Sequence, residues 1–211
     1  MRASAVKVAL AGLALAGLAA RPSAGQGSAG SPSSRAATNQ PVLVDVPFVI
    51  YQESSEVTHP YTTSGWMGNI DAIEIDDNWT KNPHRGKTCI RAEYKEEIGW
   101  GGVAWLHPEN NWGKLRGGYN LSKATRVSFY ARGETGSEVV EFKVGVRQDA
   151  GVPFEDTAHA TTGKIRLTTA WKHYAISLTD EDLSRVISGF VWVTEAKDQP
   201  VVFYLDDIVY E

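Results

Sequence analysis

From Pro41 onward, apolar and polar residues alternate with a period close to two. Val42, Val44 and Val46 alternate, as do Ile73 and Ile75, and Ile90, Ala92 and Tyr94. Val127, Phe129 and Ala131 repeat the pattern, followed by Val140, Phe142, Val144 and Val146. Ile165 with Leu167, Tyr174 to Leu178, Phe190 to Thr194 and Val201 to Tyr210 complete it. β-Branched and aromatic residues fill these runs, and Gly, Asn, Asp and Pro separate them, so the pattern predicts nine or ten strands. One segment, Asp180 to Ile187, reads as a helical turn, capped by Thr179 with Asp182 at the capping-box position. No long helical crossovers join the strands, which argues against a parallel α/β sheet. The expected fold is all-β: a two-sheet antiparallel jelly-roll β-sandwich with one short helical turn.

The first 40 residues break the alternation. Arg2 and Lys7 precede an unbroken apolar run from Val8 to Ala20, with small-residue cleavage options at Ala20 and Ala24. Residues 1–24 therefore read as a secretory signal peptide. The run is shorter than the roughly 20 residues a spanning helix needs. No Cys lies near the cleavage region, so no lipoprotein anchor is predicted, and a secreted or periplasmic location is expected. Residues 25–40 are rich in Gly, Ser and Ala and read as a flexible linker. Residues 41–211 are left as one domain, long enough to bury a sizeable core.

Charge and composition narrow the function. The chain has 21 basic and 25 acidic side chains. Loss of Arg2, Lys7 and Arg21 with the signal takes the net charge from −4 to −7. An acidic protein is a poor match for nucleic acid or an anionic membrane, so neither is an expected partner, and a monomer is expected. The single Cys excludes a disulfide framework and multi-Cys zinc sites. Seven Trp are a surplus for this length.

Five segments carry a resemblance. They are Gly65-Trp66-Met67-Gly68; Asn82 to Thr88 leading into Cys89 to Tyr94; and Gly118 to Ala124 leading into a strand that ends Ala131-Arg132-Gly133. Trp171-Lys172-His173-Tyr174 and Phe203 to Ile208 follow. In this order they resemble the galactose-binding-like jelly-roll domains, which include many carbohydrate-binding modules of secreted proteins. Asn120 stands where that pattern usually has Asp. The resemblance implies a jelly roll over about Gly65 to Glu211 and binding of a polysaccharide or glycan.

Sugars present C–H faces to aromatic rings and hydroxyls to amides, acids and guanidinium groups. Trp100 to Tyr119 concentrates such residues. Trp105 and Trp112 are the candidate stacking platform, with Trp192 a third aromatic candidate, and His107, Asn111, Arg147 and Gln148 the candidate hydrogen-bonding set. Trp66, Trp79, Trp100 and Trp171 read as fold markers. Jelly-roll modules often hold a structural calcium through an acid on the last strand and groups from early loops. Asp206 and Asp207, with Glu53 or Glu56, are the candidate ligands.

Two enzyme readings have partial support. Glu74-Ile75-Asp76 opens like the acidic motif of jelly-roll glucanases, but Asn78 and Trp79 stand where a second Glu belongs. Arg91-Ala92-Glu93, His107 and Phe142 to Gln148 loosely resemble, in order, the motifs of jelly-roll alginate lyases. Trp105 replaces that family's Gln and Arg147 its Tyr. A lyase acting on a uronate polymer and a protein-interaction domain thus remain as alternatives to non-catalytic glycan binding.

Overall fold

The computed structural model describes residues 40–55, 59–146 and 151–211. The expected signal peptide, nearly all of the linker, and Glu56, Arg147 and Gln148 lie outside the described residues. Among the described residues there are thirteen strands: β1 (Val42–Leu43), β2 (Phe48–Tyr51), β3 (Thr62–Gly68), β4 (Ile73–Trp79), β5 (Cys89–Tyr94), β6 (Ile98–Leu106) and β7 (Tyr119–Asn120). They continue with β8 (Arg126–Gly133), β9 (Val139–Val144), β10 (Ala160–Arg166), β11 (Lys172–Ser177), β12 (Ser188–Lys197) and β13 (Val201–Tyr210).

Two antiparallel sheets pack as the expected sandwich. The five-stranded sheet runs β10-β9-β12-β6-β3. The six-stranded sheet runs β11-β8-β13-β5-β4, with β2 paired to the far end of β13. A two-residue parallel pair, β1 with β7, stands apart. Among the described residues, no helix is long and apolar enough to cross a membrane.

The core is aromatic and drawn from both sheets. Phe129 of β8 and Phe203 of β13 face Trp105, Phe142, Phe190 and Trp192 of the opposing sheet. Phe129 lies 4.7 Å from Phe142 and 5.1 Å from Phe190, and Trp192 lies 5.1 Å from Phe203, centroid to centroid. Edge-on contacts predominate, as ring quadrupoles favour. Cys89 is buried on the face of β5 opposite Ile90 and Ala92, and burial pushes its thiol up to about 12, so it packs as an apolar group.

Two sequence expectations change. Ile98 to Leu106 is a nine-residue strand, although Gly99, Gly101 and Gly102 obscure it. A Cβ on Gly99 or Gly101 would come within 2.8 Å of Tyr94, and one on Gly102 within 2.7 Å of the Trp192 carbonyl. These glycines admit neighbours that any side chain would displace. The segment Asp180 to Ile187 is not helical. Its backbone bonds outward instead: Leu183 O accepts from Leu121 N, and Val186 exchanges two bonds with Tyr119. Asp182 takes the Ser184 N–H into a local turn, the usual competitor of a helix. The helical turn is a 3-10 turn at Ile70–Ala72.

Phe190 touches Trp105, Phe129 and Phe142. Its replacement, Phe190→Ala, is expected to cost about 3–5 kcal/mol in urea unfolding, in line with buried aromatic truncations. A loss below about 1 kcal/mol would mean that this ring does not join the sheets.

Candidate functional site

The outer face of the five-stranded sheet is built in cross-strand rows. Met67 (β3), Gly102 (β6), Val193 (β12), Glu141 (β9) and Lys164 (β10) form one row by register. Beside it, Trp100 of β6 pairs with Glu195 of β12, and Val139 of β9 pairs with Arg166 of β10. A groove of about 620 Å³ follows these rows, lined also by Lys197 and Gln199. From β6 to β10 it crosses three inter-strand steps, roughly 14 Å.

Trp100 is the aromatic platform of this groove, 49 % exposed. Its indole lies over Gly68, where a Cβ would come within 3.0 Å of the ring, and its carbonyl accepts the Asn69 N–H at 3.0 Å. Gly68 has φ +72°, so two separate requirements keep that position free of a side chain.

Matched charges furnish the polar walls. Lys143 Nζ lies 2.8 Å from Glu141 Oε1, and the Thr161 hydroxyl donates to the same oxygen at 2.8 Å. Lys164 Nζ donates to Glu195 Oε2 at 3.1 Å, with Lys197 at 3.9 Å. Burial alone would raise the Glu141 carboxyl, but the Lys143 ammonium and the Thr161 hydroxyl outweigh it and hold it below the usual range. Lys164 and Lys197 do the same for Glu195. Arg166 is held by the Ser137 carbonyl and Gln199 by the Ser137 hydroxyl. The arrangement offers fixed carboxylate acceptors and ammonium donors beside an aromatic face.

The other half of the same face is roofed. Trp112 and Phe154 pack over Ala104, Leu106, Ile187 and Val191. The fit is close enough that a Cβ on Gly65 would come within 3.0 Å of the Trp112 ring. Trp112 thus reaches the predicted face as half-buried cover and not as an open platform.

Most of the other predicted residues are elsewhere. Trp105 is 3 % exposed and Trp192 fully buried, both inside the sandwich, where no sugar can stack on them. Asn111 is 1 % exposed, and its amide both donates to and accepts from the Leu115 backbone at 2.9 Å. It ties a loop, and its burial keeps it from a ligand at the surface. His107 leans on Tyr119 at 4.4 Å, and burial lowers its pKa. Trp100 was missed because the glycines around it hide the strand; its five-residue spacing from Trp105 would have placed the two on opposite faces.

The proposed calcium ligands are engaged with the 82–88 loop. Glu53 accepts the Lys87 and Thr88 N–H groups and the Thr88 hydroxyl. Asp206 Oδ2 accepts the His84 and Arg85 N–H groups, and Asp207 Oδ2 meets His84 Nδ1 at 3.0 Å. Among the described residues, no three His, Cys, Asp or Glu side chains group to hold a metal ion.

Among the described residues, the acids and the arginine of the two enzyme motifs are engaged by neighbours. Glu74 pairs with Lys95 and Asp76 accepts the Asn78 N–H, both on β4 at the edge of the six-stranded sheet. Arg91 is on β5 of that sheet, paired with Glu93 at 2.8 Å, whereas His107 follows β6 of the other sheet. The tyrosines beside His107 are occupied: Tyr61 donates to the Val186 carbonyl and Tyr119 to the Pro60 carbonyl.

Solved structures share this architecture. One is similar with a TM-score of 0.53 and 19 % identity, covering 79 % of this chain and 98 % of its own: a family 30 carbohydrate-binding module. A second is the family 11 carbohydrate-binding module of the cellulosomal cellulase Lic26A-Cel5E of Clostridium thermocellum. It has a TM-score of 0.50 and 13 % identity, covering 78 % of this chain and 93 % of its own. The chain has the jelly-roll fold of carbohydrate-binding modules. No protein-family model and no curated protein matches the sequence.

Desolvation raises Asp206 to about 6. Its folded pKa is thus above the unfolded value of about 3.9, so its stabilising contribution is complete below about pH 4 and is lost as pH rises through 6. The Asp206 carboxyl carbon should titrate near pH 6 by NMR, with or without calcium, and chelator should leave the melting temperature unchanged. A calcium-dependent fall in that midpoint, or a chelator-induced drop in melting temperature, would show a metal at this loop.

Proposed function

We propose that this protein is an exported, monomeric, non-catalytic glycan-binding domain, and that its ligand lies across the strands of the five-stranded sheet. The observation that carries the reading is Trp100, a half-exposed indole fixed beside ion-paired carboxylates and lysines in one groove. An indole in water is favourably covered by the C–H face of a pyranose. Glu141, Glu195, Lys164 and Gln199 are placed to meet the hydroxyls of a few consecutive rings. Glu141 is held by Lys143, Glu195 by Lys164 and Gln199 by Ser137 before the ligand arrives, which reduces the entropy lost on binding.

The carboxylates also support a non-catalytic role. A glycoside hydrolase needs one carboxyl whose pKa is raised so that it can act as an acid. Glu141 and Glu195 are both held below their usual range. The fold shared with carbohydrate-binding modules agrees with binding, and the apolar run of Val8 to Ala20 with export.

Affinity electrophoresis against cellulose derivatives, mixed-linkage β-glucan, xylan and galactan tests the reading. At least one polymer should retard the native protein, and Trp100→Ala should weaken that binding by about tenfold or more while leaving the melting temperature nearly unchanged. Trp112→Ala should instead lower stability. Equal retardation of native and Trp100→Ala protein would remove the groove from the function, and no retardation across a broad glycan panel would end the glycan reading.

A further inference from the structure

We propose that a second, smaller pocket takes the carboxylate of an acidic sugar. It has a volume of about 210 Å³ and lies at the His107 end of β6, the opposite end from Trp100. Its walls include His107, Arg116, Gly117, Gly118, Phe154 and Arg185, and none of its lining residues is acidic.

The charge balance separates this pocket from the groove. In the groove Glu141 and Glu195 are each matched by lysine. Here Arg116 and Arg185 enter no ion pair among the described residues, in a chain where acids outnumber bases. The Arg185 guanidinium lies over the Phe154 ring, 5.6 Å from its centroid, and no carboxylate among the described residues is paired with it. Burial keeps His107 neutral at physiological pH, so the two arginines set the charge. A Cβ on Gly117 would come within 2.4 Å of Pro108 and the His107 carbonyl, so this wall is bare backbone.

Two unmatched guanidinium groups beside an aromatic ring recognise a planar oxyanion carried on an apolar body. A uronic acid has both parts, and the volume suits one such ring. The anion half of this assignment stands on the pocket alone; the sugar half rests on the glycan-binding reading above.

Calorimetry of the full chain with trigalacturonate and with its methyl ester separates charge from sugar. The acid is expected to bind, more weakly as salt rises, and the ester not to bind. Arg116→Gln and Arg185→Gln should each weaken binding about tenfold, and Arg185→Lys should restore part of it. Arg116 is exposed, so Arg116→Gln carries the test even if Arg185→Gln lowers stability. No binding of the acid, equal binding of the ester, or unchanged binding in the double variant would overturn the proposal. Displacement by equimolar inorganic sulfate would reassign the pocket to simple anions and overturn its sugar half. Failure of the groove reading is seen separately, as unchanged neutral-glycan binding in Trp100→Ala.

Discussion

The two sheets close on a shared layer of aromatic rings, and that closure decides what every strand can show to solvent. Phe129 and Phe203 from one sheet interlock with Trp105, Phe142, Phe190 and Trp192 from the other. Side chains alternate along a strand, so committing Trp105 and Val103 of β6 to this layer sends Trp100, Gly102 and Ala104 to the other face. The same parity in β9 places Phe142 inside and Glu141 and Lys143 outside. The groove is therefore the complement of the core: its members are the residues that core packing leaves over.

What is left over is not uniform along the sheet. At one end, loops carrying Trp112 and Phe154 cover the apolar residues of β6 and β12 and turn them into a small second core. At the other, Trp100 and Val193 remain open, bordered by lysines and glutamates that neutralise each other. A surface with an exposed indole and internally matched charge has little reason to attract a strongly charged partner. It presents ring faces and fixed hydrogen-bonding groups, which are what a neutral sugar chain offers in return.

The outer face of the six-stranded sheet has a different character. Arg132 lies 3.7 Å above the Tyr204 ring, Arg91 lies over Trp79, and His84 stacks on Tyr130 at 3.5 Å. Trp171 donates to the Asn82 carbonyl and clamps the 82–88 loop over this layer. Tyr130 and Arg132, on the outer face of β8, are engaged with His84 and Trp171 in holding that loop. Glu53 and Asp206 also hold it through its backbone N–H groups.

The alternation of apolar residues determined the all-β class, the identity of most strands and much of the core, because burial of one strand face is a local, period-two property. The same alternation leaves Glu141 and Lys143 on the polar face of β9, which borders the groove. The sequence could not show β6, since glycines that receive Tyr94 and Trp192 have no local signature of those neighbours. Nor could it divide the tryptophans between core and surface, because that depends on which sheet and which parity each one joins. Trp105 and Trp192 became core and Trp100 became surface through strand register, and register is set by long-range pairing between segments distant in the chain.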